Sequence, residues 1–167
     1  MTLRGASFSP CGLYRYSLTR SWEPTMFAGP LRIAWVMLNP STADAARDDP
    51  TIRRVLDFSR REGANAVEIV NLFAFRATDP RWLCKATDPV GRDNNAAIRF
   101  AAAAAHRVVC AWGHRGSLAR RDVDVATMLD GVALECLGVN DDGSPRHPLY
   151  LRADTPLVPF RRPEPAP

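Results

Sequence analysis

Apolar runs of strand length recur along this chain, and each ends on similar punctuation. Residues 33–38 run Ile-Ala-Trp-Val-Met-Leu and stop at Asn39-Pro40, and residues 67–76 carry a second run interrupted by Asn71. A third run, 107–113, closes in Trp112-Gly113, and a fourth spans 132–138. Helical patterns lie between them. Asp49 and Pro50 suit a cap and a first turn, after which Ile52, Val55, Leu56 and Ser59 fall at helical spacing until Gly63. Alanines and Ile98 give 96–105 high helical propensity, and a further helix runs from the Gly113-to-Gly116 turn to about Leu129. Strand and helix in alternation predict an α/β fold: a three-layer α/β/α arrangement around a central, mostly parallel four-stranded sheet.

The ends of the chain depart from this rhythm. Tyr14, Tyr16, Leu18 and Arg20 alternate with Leu13, Arg15, Ser17 and Thr19, which predicts an added N-terminal strand or hairpin at a sheet edge, before turn-rich residues 23–30. Residues 1–155 read as one domain, and 156–167 as a proline-rich, mobile tail.

Ligands of open α/β sheets bind outside the carboxyl ends of the strands, so the residues there are the candidate site. Asn39, Pro40, Ser41, Thr42 and Asp44 form its floor, and Ser41, Thr42 and Asp44 suit the opening of a helix whose free N–H groups face the ligand. Asn71, inside an apolar run, must find partners either as a bracket at the strand end or on a ligand. Asp48, Asp49, Arg53 and Arg54 fit equally a solvated, capped helix start and a site. His114 reads as an exposed loop residue.

Charge changes the picture only modestly. A net charge of +4 and a pI near 9.2, carried almost wholly by arginine, permit phosphate or carboxylate partners without requiring them. Cys11, Cys84, Cys110 and Cys136 lie far apart with no C-x-x-C pair, so neither a cluster nor a zinc site is expected, and no metal or cofactor is assigned. No signal pattern or membrane-length apolar run is visible, which places the protein in the cytoplasm with no membrane partner.

The strings Leu38-Asn39-Pro40-Ser41-Thr42-Ala43-Asp44, Asp49-Pro50-Thr51-Ile52-Arg53-Arg54, Asn71-Leu72-Phe73-Ala74-Phe75-Arg76-Ala77-Thr78-Asp79-Pro80, Ala111-Trp112-Gly113 and His147-Pro148-Leu149-Tyr150-Leu151 resemble the bacterial and phage family catalogued as domain of unknown function 1643. More distantly, the four strand ends resemble the uracil-DNA glycosylase superfamily. Met37-Leu38-Asn39-Pro40 is similar to its first motif in the Asn form, Val70-Asn71 to the strand whose Asn reads a base edge, Trp112-Gly113 to its Trp-Gly strand and His147-Pro148 to its His-Pro loop. Met37 stands where that motif has glycine, and Leu149-Tyr150 follows His-Pro where Ser-Pro is usual.

That second resemblance implies hydrolysis of the N-glycosidic bond of a modified or deaminated base, in single-stranded or duplex DNA or in a nucleotide. It implies Asn39 and His147 as catalytic residues, Asn39 holding the water and His147 donating to the base. Asn71, Phe73 and Phe75 would contact the base, with Pro40, Ser41, Thr42, Asp44, Arg76, Trp112 and Gly113 completing the substrate pocket. Arg53, Arg54 and Arg146 would bind the nucleic acid, and Tyr150 or Leu151 would wedge into the duplex as the base flips out. The alternative is a non-catalytic nucleotide or nucleic-acid binding module that uses the same pocket.

Overall fold

The computed structural model describes residues 2–23 and 30–161, so most of the expected turn at 23–30 and the last six residues lie outside the described region. A mixed α/β fold is built on a seven-stranded sheet. Its strands are β1 (Leu3–Phe8), β2 (Arg15–Ser21), β3 (Arg32–Met37), β4 (Ala66–Asn71), β5 (Arg107–Cys110), β6 (Leu134–Cys136) and β7 (Val158–Pro159), in the order β1-β2-β4-β3-β5-β6-β7. The four strands read from the sequence are the parallel centre, β4-β3-β5-β6. Antiparallel strands extend it on both sides, which raises the strand count from the expected four to seven.

Both faces of this centre are covered, which explains why its strands are largely apolar on both sides. Ile33, Trp35 and Met37 of β3 pack with Val67 and Ile69 against helix α1 (Pro50–Arg61), through Ile52, Val55, Leu56 and Phe58. Ala34 and Val36, pointing the other way, pack with Val70, Val108 and Cys110 against α2 (Asn94–Ala104) and α3 (Arg121–Met128), through Ile98, Ala101 and Val125. Ser59 occupies a core-facing position of α1 because it accepts a 2.9 Å hydrogen bond from the Trp35 indole and donates one of 2.8 Å to the Val55 carbonyl. The region expected as one helix up to Leu129 is broken: Ala119 and Arg120 take positive φ, separating a 3-10 stretch from α3.

Three features of the chain ends differ from expectation. β2 is interior, because β1 pairs along its outer side. Ser7 pairs with Ser17 and Phe8 with Arg15, so Tyr16 is an extra residue on β2, and this bulge breaks the alternation read from the sequence. Residues expected in a mobile tail instead supply β7, which pairs with β6, and Phe160, which is buried with its ring edge-on to Trp112 at 5.6 Å. Among the described residues no helix is long and apolar enough to cross a membrane.

Candidate functional site

The loops at the carboxyl ends of the parallel strands enclose two adjoining hollows. The inner one, about 350 Å³, is lined by Asn39 after β3, Asn71 at the end of β4, Arg15 from β2, Asp49 and Thr51 at the start of α1, and His147. The outer one, about 590 Å³, opens over Trp112, Gly113, Arg115, Arg146 and Leu151. Leu38, His147 and Tyr150 line both and so form the wall between them.

Asn71 shares the α1 side of the sheet with Ile69, two residues back, and is 1% exposed. Its side-chain nitrogen has no hydrogen-bond partner. A buried amide left this way costs on the order of 1–3 kcal/mol, which a ligand acceptor would recover. Arg15 reaches the same cavity because the Tyr16 bulge turns it onto the Leu18 face. One terminal nitrogen donates to the Ala43 carbonyl at 2.5 Å, while Nε has no partner. Burial pulls its pKa down to about 10, against the opposing pull of Asp49, so the side chain remains a cation at neutral pH.

His147 starts a short 3-10 turn, and its Nδ1 accepts the Leu149 backbone N–H at 3.3 Å. That bond assigns the proton of the neutral ring to Nε2. Burial holds the His147 pKa below its ordinary value, opposed by Asp49, which favours this neutral donor form. Asn39 is tied down through its nitrogen, which donates to the Pro40 carbonyl at 3.1 Å and the Ala77 carbonyl at 2.8 Å. Its amide oxygen is thereby left as the available acceptor, beside the cavity. Asp49 caps α1 by accepting the Ile52 N–H at 2.8 Å.

Of the residues singled out in the sequence, Asn39, Ser41, Asn71, His147 and Tyr150 come together at the inner cavity. Trp112, Gly113, Arg146 and Leu151 gather at the outer one. Thr42 and Arg76 line a separate shallow groove, which shares Ser41, Ala77 and Thr78 with the inner cavity. Pro40 is buried beneath the floor, and its carbonyl accepts the bonds of Asn39 and the Ala77 N–H.

Others line neither of these two cavities. Phe73 is fully buried in the core on the α2 side and does not reach the cavity, and Phe75 packs edge-on against Tyr14. Asp44 does not open a helix; its carboxylate accepts the Ala46 and Arg47 N–H groups in a local turn, and α1 begins only at Pro50. Arg53 donates to the Asp48 carbonyl, while Arg54 donates to the Leu151 carbonyl and lies over the Phe58 ring. The sequence reading missed Arg15, and it left Asp49 undecided between cap and site. A basic residue in an alternating strand carries no mark that a bulge will redirect it.

No group of three or more His, Cys, Asp or Glu among the described residues is placed to hold a metal. Cys110 and Cys136 are buried, and Cys11 and Cys84 are exposed.

Fold and site together define a mixed α/β protein with a polar, partly unsatisfied cavity at the carboxyl edge of its parallel strands. The chain belongs to a family of proteins of unknown function, DUF1643, whose profile matches residues 15–149. No curated protein and no solved structure matches it.

Proposed function

We propose that this protein hydrolyses the N-glycosidic bond of a nucleobase, in DNA or in a nucleotide, within the inner cavity. The observation that carries the reading is the Asn71 amide, buried on the cavity wall with its nitrogen unpartnered. An amide offers a donor and an acceptor side by side, the pattern presented in reverse by the edge of a pyrimidine. The reading draws on the placement of Asn39, Asn71, Trp112-Gly113 and His147 around two adjoining cavities at the carboxyl ends of the parallel strands.

In this reaction the base leaves with the electron pair of the C1′–N bond, and the sugar becomes oxocarbenium-like. Negative charge grows on the base oxygens, where the Asn71 amide and the Nε2–H of a neutral His147 would stabilise it. The free oxygen of Asn39 would orient the attacking water. Tyr150, 89% exposed at the rim, is the side chain best placed to fill a duplex from which the base has been extruded.

One observation favours a second reading, a binding module without turnover. Arg15 is a buried cation with an unused donor in the cavity, a feature suited to holding an anionic ligand group in place.

Single-turnover assays separate the two. The substrates are labelled single-stranded and duplex oligonucleotides carrying uracil, mismatched thymine, hypoxanthine or hydroxymethyluracil. Base release that is lost in Asn39→Ala and His147→Ala, both still folded, supports hydrolysis. Full activity in both variants rejects it, and salt-sensitive binding with no release supports the binding module.

A further inference from the structure

The glycosidic-bond reading leaves one role without an owner. Water attacking C1′ must lose a proton, and an amide such as Asn39 orients water without accepting that proton. Among the residues lining the inner cavity, Asp49 is the one carboxylate.

We infer that Asp49 is the general base of this site, held on the cavity wall by its second task as the N-cap of α1. The inference rests on the hydrolytic reading above. One carboxylate oxygen is fixed by the 2.8 Å bond from the Ile52 N–H. The other has no hydrogen-bond partner among the described residues and shares the cavity with Asn39, Arg15 and His147. Asp49 also acts electrostatically on both neighbours, opposing the burial that lowers the pKa of Arg15 and of His147. The cap hydrogen bond restricts the side chain, anchoring one oxygen and leaving the other uncommitted.

The balanced step is hydrolysis with water as the only co-reactant. The water oxygen forms the new bond to C1′ while its proton passes to the free oxygen of Asp49. The C1′–N bond breaks, its electron pair leaves on the base, and the base anion takes up a proton once it is released. During attack the carboxylate also faces the positive charge that develops on the sugar. Asn39 and Asp49 thus divide between them the orienting and the proton-accepting work.

Asp49→Asn tests this directly, because asparagine caps helices about as well as aspartate and removes the carboxylate alone. The assay is single-turnover base release from the oligonucleotide series above, with binding of the same oligonucleotides followed by fluorescence anisotropy. The expected result is a fall in rate of about 10²- to 10⁴-fold, with Kd changed by less than about threefold. Wild-type rate in Asp49→Asn overturns the inference while leaving the hydrolytic reading intact, and equal losses in rate and affinity overturn it in favour of a binding role. Absence of base release in the wild-type protein overturns the hydrolytic reading itself, and this inference with it. Should Asp49→Asn fold poorly, Asp49→Ser keeps a capping oxygen and carries the same expectations.

Discussion

Arg15 and Arg20 lie on one strand, β2, and both are almost wholly buried, yet their surroundings treat them in opposite ways. Arg20 is saturated. Its Nε donates to Asp48 at 2.9 Å, and its terminal nitrogens reach the Thr19 and Asp44 carbonyls at 2.8 and 2.7 Å and the Asp48 carboxylate at 2.7 Å. Arg15 has the single carbonyl of Ala43 and an idle Nε. One residue type thus meets two environments: Arg20 joins β2 to the loop before α1, while Arg15 lines the inner cavity with part of its hydrogen-bonding capacity unused.

The same contrast runs along the whole sheet. At the amino ends of the parallel strands, Arg107 bonds Glu135 through two nitrogens at 2.7 and 2.8 Å and Glu62 through a third at 2.8 Å. These contacts hold the Arg107 guanidinium well above its ordinary pKa. The four buried side-chain atoms without partners among the described residues belong to Arg15, Asn71, Asn94 and Trp112, and all lie toward the carboxyl ends. Completed polar networks hold the fold together at one end of the sheet, and at the other end Arg15, Asn71 and Trp112 keep unused capacity beside the two cavities.

The comparison can be broken most sharply at Arg20. Arg20→Ala leaves Asp48 without its buried partner and should cost about 3–5 kcal/mol in urea-induced unfolding. A smaller loss would mean that the saturated arginine is not structural. Arg15→Met should behave differently, shifting unfolding free energy by less than about 1 kcal/mol, because a partly satisfied buried charge is exchanged for apolar volume. Its ligand affinity, read by anisotropy, should fall roughly 10- to 100-fold, the worth of about 1.5–3 kcal/mol for a charged hydrogen bond.

A subtler effect concerns His147. Its folded pKa lies below the ordinary value, so the folded state binds fewer protons than the unfolded chain just below that value. The stability it contributes is therefore complete above the unfolded pKa of about 6.5 and declines as pH falls from there through the folded pKa. NMR titration of its ring Cε1–H should show this depressed midpoint, and Asp49→Asn should lower it further by removing the opposing charge. A midpoint above 6.5 would contradict the neutral-donor assignment. The smallest change belongs to Arg4→Ala. Arg4 sits on the outer side of Asp48 at 3.0 Å and is more than a third exposed, so its loss should cost under about 1 kcal/mol.

Much of the frame was legible in the residues because its signals are local and mutually consistent. The Asp49-Pro50 start of α1 and its buried Ile52, Val55, Leu56 and Ser59 follow directly from cap chemistry and helical spacing. The four parallel strands announced themselves through apolar runs that only a doubly covered sheet requires. Asn71 stood out for a related reason: an amide inside such a run must find partners, and the structure places it on the wall of the inner cavity. Phe73 and Phe75 were misjudged because an apolar run continues past the last ladder bond, and sequence does not distinguish a ring facing the core from one facing a cavity. Arg15 depended on one extra residue in a ladder, a long-range property of pairing with β1.

The two-residue strand β7 carries a consequence for how the chain tolerates shortening. Val158 and Pro159 occupy the far margin of the sheet, and Phe160 fills the space beside the Trp112 indole. By composition, everything past Thr155 looks dispensable, and the family match ends at 149. Cutting there would uncover the backbone of Leu134, Glu135 and Cys136 as an open edge able to pair with another chain, so a chain shortened at that point should self-associate more readily than the full one.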